Sequence, residues 1–309
     1  MAAITTLFPV FFTLALGFVA KVRGWVTPEQ KAAIYTVVFK VFFPIMIFNL
    51  ACTATIDMSR IGVVGVAFVA YVLAIFVGRL ASPFTGKKYA HISPYLLSSE
   101  EGGSVALPLY LSIVGQSSNT VLFDLAGTFA CFGVIAVMVS REGSKGASAK
   151  DVLINICTNS FVIAVVAGLV VNLTGGYAAL AASPLGEMYT KTMAQATAPI
   201  GTMILFCLGY DFRIDRETLA PLAKLAAVKT AYYALLIGLY FLLFPALMAD
   251  KVFMMAVVIY LMSPTGTGLV PVISPLFKDD DDASFASSFI PLYLVITLVV
   301  YTFLVVFVA

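Results

Sequence analysis

The chain has 309 residues, of which 61% are apolar and 11% charged, and its formal net charge is +2. A soluble domain carries about 25% charged and 45–50% apolar residues, so polar groups cannot cover a water-facing surface here and part of the solvent is lipid. This excludes a cytosolic enzyme, a secreted disulfide scaffold and a disordered chain, and it leaves no basic face for nucleic acid.

A helix that crosses a bilayer needs about 20 apolar residues. Runs of that kind fall at 4–20, 30–51, 61–80, 93–114, 120–140, 152–173, 188–210, 221–247, 252–276 and 284–308. The reading is an all-α integral membrane protein with ten transmembrane helices. Runs 93–114, 188–210 and 252–276 are the least uniform, being rich in Gly, Ser, Thr and Pro. The first run has no basic segment before it and no small-residue cleavage site after it, so it reads as a retained span. Cys52, Cys131, Cys157 and Cys207 lie far apart inside apolar runs and read as small core hydrophobes.

Lysine and arginine set the orientation. Odd-numbered loops hold Lys21, Arg23, Lys31, Arg79, Lys87, Lys88, Arg141, Lys145, Lys150, Arg213, Arg216, Lys224 and Lys278. Even-numbered loops hold only Arg60, Lys191 and Lys251. The bias places the odd loops in the cytoplasm and both termini outside.

The two halves echo each other. Gly103-Ser-Val-Ala-Leu-Pro108 matches Gly266-Thr-Gly-Leu-Val-Pro271, and Phe43-Pro44-Ile45 matches Ala198-Pro199-Ile200. An aspartate follows each of the second pair, Asp57 and Asp211. Similar offsets imply one transmembrane domain over 1–309 built of two repeats, about 1–145 and 150–309. Five spans are an odd number, so the repeat is inverted, as in many secondary transporters. Pro108 and Pro271 have no N–H, which frees the carbonyls of Ser104 and Thr267. In lipid such carbonyls persist only where protein or a wet cavity satisfies them. Helices 4 and 9 are therefore expected to be broken, with their free carbonyls facing one cavity near the midplane.

Charges inside spans single out functional groups. A carboxylate at the bilayer centre costs about 2.5–3.5 kcal/mol on insertion scales. Glu100 and Glu101 precede the first break, and Glu101 stands seven residues from Pro108, two helical turns along one face. That makes Glu101 the leading proton or Na⁺ site, with Glu100 about 100° round the helix. Asn49 is deep in span 2 and reads as an interhelical bond or a ligand. Asp124 is read as interfacial, Lys229 as snorkelling, His91 as solvated, and Lys278-Asp-Asp-Asp-Asp282 as a solvated turn.

Span 4, from Glu101 through Pro108 to Gly115, resembles the auxin efflux carrier family, which includes the plant PIN proteins and bacterial permeases assigned to malate and malonate. That family has Asn, then Pro, then Gly at the same seven-residue spacing. Span 9, Gly268-Leu-Val-Pro-Val-Ile-Ser-Pro275, is similar to its Gly-Ile-Val-Pro crossover, and Pro44–Asn49 and Phe206–Gly209 also fit. The resemblance implies a five-plus-five inverted repeat with helices 4 and 9 crossing as broken helices, an architecture shared with bile-acid symporters and Na⁺/H⁺ antiporters. The family's crossover Asn is replaced by Glu101, which favours ion coupling over anion uniport.

The expected function is a secondary transporter of a small organic carboxylate in a bacterial inner membrane, working by alternating access. Asn49, Ser104, Thr265, Thr267 and the backbone at Pro108 and Pro271 would form the substrate site, and Glu101, with Glu100, would couple H⁺ or Na⁺. No cofactor beyond that ion is expected, and no catalysis, and a homodimer is compatible with the reading. A cation exchanger or bile-acid-like sodium symporter is the alternative, and a membrane sensor is a remote one.

Overall fold

Backbone groups in lipid must bond within their own segment, which leaves helices as the economical solution for runs this apolar. The computed structural model describes residues 2–53, 59–115, 119–142, 154, 157–158, 160–211, 218–266 and 268–309, and those residues contain helices and no strand. Five helices are long and apolar enough to cross a membrane: Pro28–Thr53, Gly62–Thr85, Gly186–Tyr210, Leu219–Leu243 and Asp281–Phe307. Phe8–Val22 and Lys251–Leu261 are shorter apolar helices.

In chain order the elements are α1 (Ala2–Val22), α2 (Pro28–Thr53), α3 (Ser59–Thr85), α4 (Ser93–Leu96), α5 (Leu107–Val114), α6 (Asn119–Phe129), α7 (Ala136–Glu142) and α8 (Ser160–Leu173). They continue with α9 (Gly176–Ala181), α10 (Gly186–Asp211), α11 (Leu219–Leu243), α12 (Pro245–Met248), α13 (Lys251–Leu261), α14 (Leu269–Ile273) and α15 (Asp280–Phe307). Among the described residues, each of the ten apolar runs contains helix, in one piece or in two. The run at 188–210, despite its mixed composition, is one continuous helix with Pro199 inside it.

Local chemistry sets the helix ends. Thr27 and Gln30 form a reciprocal cap, with Gln30 N–H donating to Thr27 Oγ1 at 3.3 Å and Thr27 N–H to Gln30 Oε1 at 2.9 Å. Pro28 takes the first helical position, where its missing N–H costs nothing. Gly115 closes α5 with φ +71°, a left-handed backbone that a side chain would strain.

Helices α1 and α10 pack along each other, and so do α2 and α8. Both crossings are close because of glycine: a Cβ at Gly17 or Gly209 would fall 1.9 Å from the Phe206 or Leu14 carbonyl oxygen, and one at Gly168 would fall 2.7 Å from that of Phe48. Small residues let backbones approach where lipid supplies no hydrophobic drive between helices. Further contacts join α3 with α6 and α4, α11 with α15, α2 with α10 and α3 with α11.

The substitution Gly209→Leu is expected to destabilise the α1–α10 crossing by about 1–3 kcal/mol or more and to lower the unfolding temperature in detergent. Gly65→Leu, at an exposed position on α3 with nothing within 4 Å, is the matched control and is expected to leave that temperature unchanged.

Candidate functional site at the crossing of two interrupted helices

Two apolar runs lose helical structure over several residues, whereas the run at 221–247 breaks only at Phe244. The first loses helical structure from Leu97 to Glu101, between α4 and a wide π turn at Gly102–Ala106 that leads into α5. The second loses it after Leu261 and regains it at Leu269. Thr267, one of the expected site residues, lies outside the described residues, as do the side chains of Ser104 and Pro271.

Both interruptions lie upstream of the prolines expected to cause them, which corrects the expectation that Pro108 and Pro271 break the helices. Pro108 is absorbed by the π turn: Ala106 N–H bonds the Glu101 carbonyl and Leu107 N–H that of Gly102, five residues back, so the widened ladder meets the proline without a break. The π turn Val38–Phe42 stands in the same relation to Pro44. Pro271 is the third residue of α14, within the first turn where an N–H has no helical acceptor. It ends nothing.

A buried backbone group without a partner costs about 1–3 kcal/mol, so the question is where the exposed carbonyls of the two interruptions go. They are met by each other and by two long helices. Glu101 N–H donates to the Pro264 carbonyl at 2.7 Å, which joins the interruptions directly. The Thr265 hydroxyl donates to the Leu96 carbonyl. From α11, the Tyr233 hydroxyl donates to Leu97 at 2.6 Å and the Lys229 ammonium to Ser99 at 3.0 Å. From α15, the Thr297 hydroxyl donates to Met262 at 2.6 Å. The approach is tight enough that a Cβ on Gly266 would stand 2.9 Å from Ser99 Oγ. Outside the crossing, the Tyr95 hydroxyl donates to Glu142 Oε2 at 2.7 Å, and Glu142 pairs with Arg79, which anchors α4 to the ends of α7 and α3.

An ion pair sits at the centre. Lys229 Nζ lies 3.0 Å from Glu100 Oε1, and both side chains are wholly buried. The ammonium has three hydrogens and three oxygen partners, Glu100 Oε1, the Ser99 carbonyl and, at 3.3 Å, Thr265 Oγ1. It also stands 5.2 Å from the ring centres of Tyr233 and Tyr293, a cation–π arrangement. Such a pair is tolerated in a low-dielectric interior only with this degree of satisfaction. Glu100 is less complete: neither of its oxygens has a hydrogen-bond partner among the described residues, and only Oε1 is met by the ion pair, since the Tyr233 hydroxyl spends its one hydrogen on Leu97.

Two further acids flank the pair. On α6, Asp124 Oδ1 accepts from the Tyr260 hydroxyl at 2.8 Å, while Oδ2 has no hydrogen-bond partner among the described residues. Asp124 presses on the backbone at Gly102, where a Cβ would fall 1.6 Å from Oδ1, so only glycine fits. Glu101 is buried and within electrostatic reach of Asp124.

The structure brings Glu100, Glu101 and Thr265 together at the crossing, with buried Pro108 in the helix that follows it. Glu101 does not stand on a helical face with Pro108, because it is the non-helical residue that precedes the π turn. Asn49 makes an interhelical bond, accepting from the Tyr189 hydroxyl at 3.0 Å. Lys229 does not snorkel, its ammonium being buried in the ion pair, and Asp124 is engaged by Tyr260. The depth of Lys229, ten residues into α11 and so about 15 Å along it, is the signal that places it mid-span. His91 also has a partner, Asp282, at 2.8 Å, and Asp279 caps α15 by accepting from Asp281 and Asp282 N–H at 3.1 Å. In the same loop, hydrogen bonding to Asp281 holds the Lys88 ammonium above its ordinary pKa.

Comparison with protein-family models and with curated proteins finds no match to this chain. The fold and site together define an all-helical chain of membrane-spanning character in which two interrupted helices cross at a buried ion pair.

Removing one partner of that pair leaves an uncompensated buried charge. Lys229→Met is therefore expected to destabilise the protein by about 3–5 kcal/mol, with most of the loss recovered in the double variant Glu100→Gln/Lys229→Met. Apparent unfolding temperatures in detergent measure both; a single variant as stable as the unaltered protein would show that the pair does not form.

Proposed function

We propose that this protein is a secondary transporter that moves a small organic carboxylate by alternating access, coupled to H⁺ or Na⁺. The observation that carries the reading is the bond from Glu101 N–H to the Pro264 carbonyl. It brings two non-helical segments from opposite halves of the chain together amid buried charge. Irregular backbone at membrane depth is expensive unless it serves a site, and transporters place substrate and ion sites at such interrupted helices. The resemblance of span 4 to the auxin efflux carriers points the same way.

In this reading ten spans form two inverted repeats, about 1–145 and 150–309, in a bacterial inner membrane with both termini outside. Helix pairing supports the repeat. Exchanging the halves turns the α1–α10 contact into α8–α2 and the α3–α6 contact into α11–α15, and it maps the α2–α10 and α3–α11 contacts onto themselves. Thr265 and the backbone of the interruptions would bind the substrate, with Ser104, Thr267, Pro108 and Pro271 near them and Asn49 contributing from α2. Glu100 and Glu101 would couple the ion.

A second reading has its own support. Glu100 is paired with Lys229, and the carboxylates of Glu101 and Asp124 are within electrostatic reach of each other, a cluster of acids that suits a cation exchanger. Uptake into proteoliposomes tests both readings. Accumulation of a mono- or dicarboxylate driven by an imposed pH or Na⁺ gradient is the expected result. Ion exchange with no organic solute present, and no carboxylate flux, would replace the first reading with the second.

A further inference from the structure

Among the described residues Lys229 is the cation of a wholly buried ion pair, and it touches both interruptions at once, through Ser99 and Glu100 of the first and Thr265 of the second. Two hydrogen bonds hold its ammonium and Glu100 balances its charge, so a transported anion must displace Glu100 to pair with it. Its partner Glu100 is under-satisfied, because neither carboxylate oxygen has a hydrogen-bond partner among the described residues and only Oε1 is met by the ion pair, which leaves Oε2 without a donor. A proton on that oxygen would neutralise Glu100 and weaken its hold on the ammonium, while Lys229 keeps its own charge.

We infer that Lys229 is the counter-charge for the substrate's carboxylate and that protonation of Glu100 hands it over. The inference rests on the carboxylate-transport reading and deepens it by naming both the residue that binds the anion and the residue that carries the proton. The step balances: one proton from the medium binds Glu100 Oε2, the Glu100–Lys229 pair opens, and the substrate carboxylate replaces Glu100 at the Lys229 ammonium. On release the proton leaves Glu100 and the pair reforms. One monocarboxylate thus crosses with one proton and no net charge.

The groups within electrostatic reach of Glu100 are consistent with this exchange. Lys229 is the cation there, and the others are hydroxyls, of Tyr71 on α3, Tyr232 and Tyr233 on α11, Tyr260 on α13 and Tyr293 on α15. Glu101, its chain neighbour, and Asp124 on α6 are the nearby acids, and Asp124 Oδ1 is held separately by Tyr260.

The test uses the full chain in proteoliposomes, with radiolabelled lactate, malonate and malate as probes. In the unaltered protein, the KM of whichever probe accumulates is expected to fall as pH falls, approaching about tenfold per pH unit while Glu100 titrates. Lactate flux is expected to be indifferent to membrane potential. In Glu100→Gln the KM should lose its pH dependence and lactate flux should become sensitive to an imposed potential. The charge-balanced variant Glu100→Gln/Lys229→Met, which guards against misfolding, should lose uptake by about 100-fold while still eluting as a folded species. Persistent pH dependence in Glu100→Gln, or near-normal flux in the double variant, would overturn the inference and leave the transport reading standing. Failure of the unaltered protein to move any probe would overturn the transport reading itself, and the inference with it.

Discussion

The structure depends on one constraint, that an interrupted helix in an apolar interior must find donors for every carbonyl it exposes. Here the donors come from a small set of side chains on two long helices. Tyr233 and Lys229 reach across from α11 and Thr297 from α15, while Thr265 and the Glu101 amide let each interruption satisfy part of the other. The same contacts that make the break tolerable also fix where it is. Most of these donors are neutral. Lys229 is not, and its charge is balanced by Glu100, which belongs to the interruption that it supports.

The arrangement links fold to function through the two acids and the lysine. A hydroxyl donor gives a static repair. An ammonium paired with a carboxylate gives a repair that a proton can undo, because the pair has two states that differ in what Lys229 is free to bind. The tight glycine crossings of α1 with α10 and α2 with α8 carry no such group at their points of closest approach, where backbone meets backbone. In the proposed transport reading, rigid packing there and a titratable joint at the crossing are what two bodies moving around a central site would require.

Much of the fold was legible in the sequence. Hydropathy located runs that contain helix wherever they are described, and the density of Gly, Ser, Thr and Pro marked three of them, two with long interruptions and one, 188–210, that is a continuous helix. The two Gly-Ser/Thr-x-x-Leu/Val-Pro segments lie beside the contact between the interruptions, where Glu101 N–H meets the Pro264 carbonyl. The position of the break was not legible, because a proline's effect depends on the ladder around it. A π turn at Gly102–Ala106 absorbs Pro108, and a helix start beside Pro271 makes its missing N–H harmless. With no helix at Glu101, the angular argument that ranked it above Glu100 had no footing. Lys229 was misread because a lone lysine in a span can snorkel when shallow and must pair when deep, and its partner lies 129 positions away in sequence. Asp124 was missed for a similar reason, since nothing local reveals that the Gly102 backbone and the Tyr260 hydroxyl close over it.

The most direct measurement is a disulfide across the crossing. Ser99→Cys and Gly266→Cys, placed together in a background without the native cysteines, set the two sulfurs where a bond can form, since a Cβ on Gly266 stands 2.9 Å from Ser99 Oγ and bonded cysteines have Cβ atoms about 3.5–4.5 Å apart. With a protease site inserted after Glu142, the cut protein is expected to run as one band without reductant and as two with it. Halves that separate without reductant, with both cysteines still open to alkylation after denaturation, would show that the two interruptions do not meet.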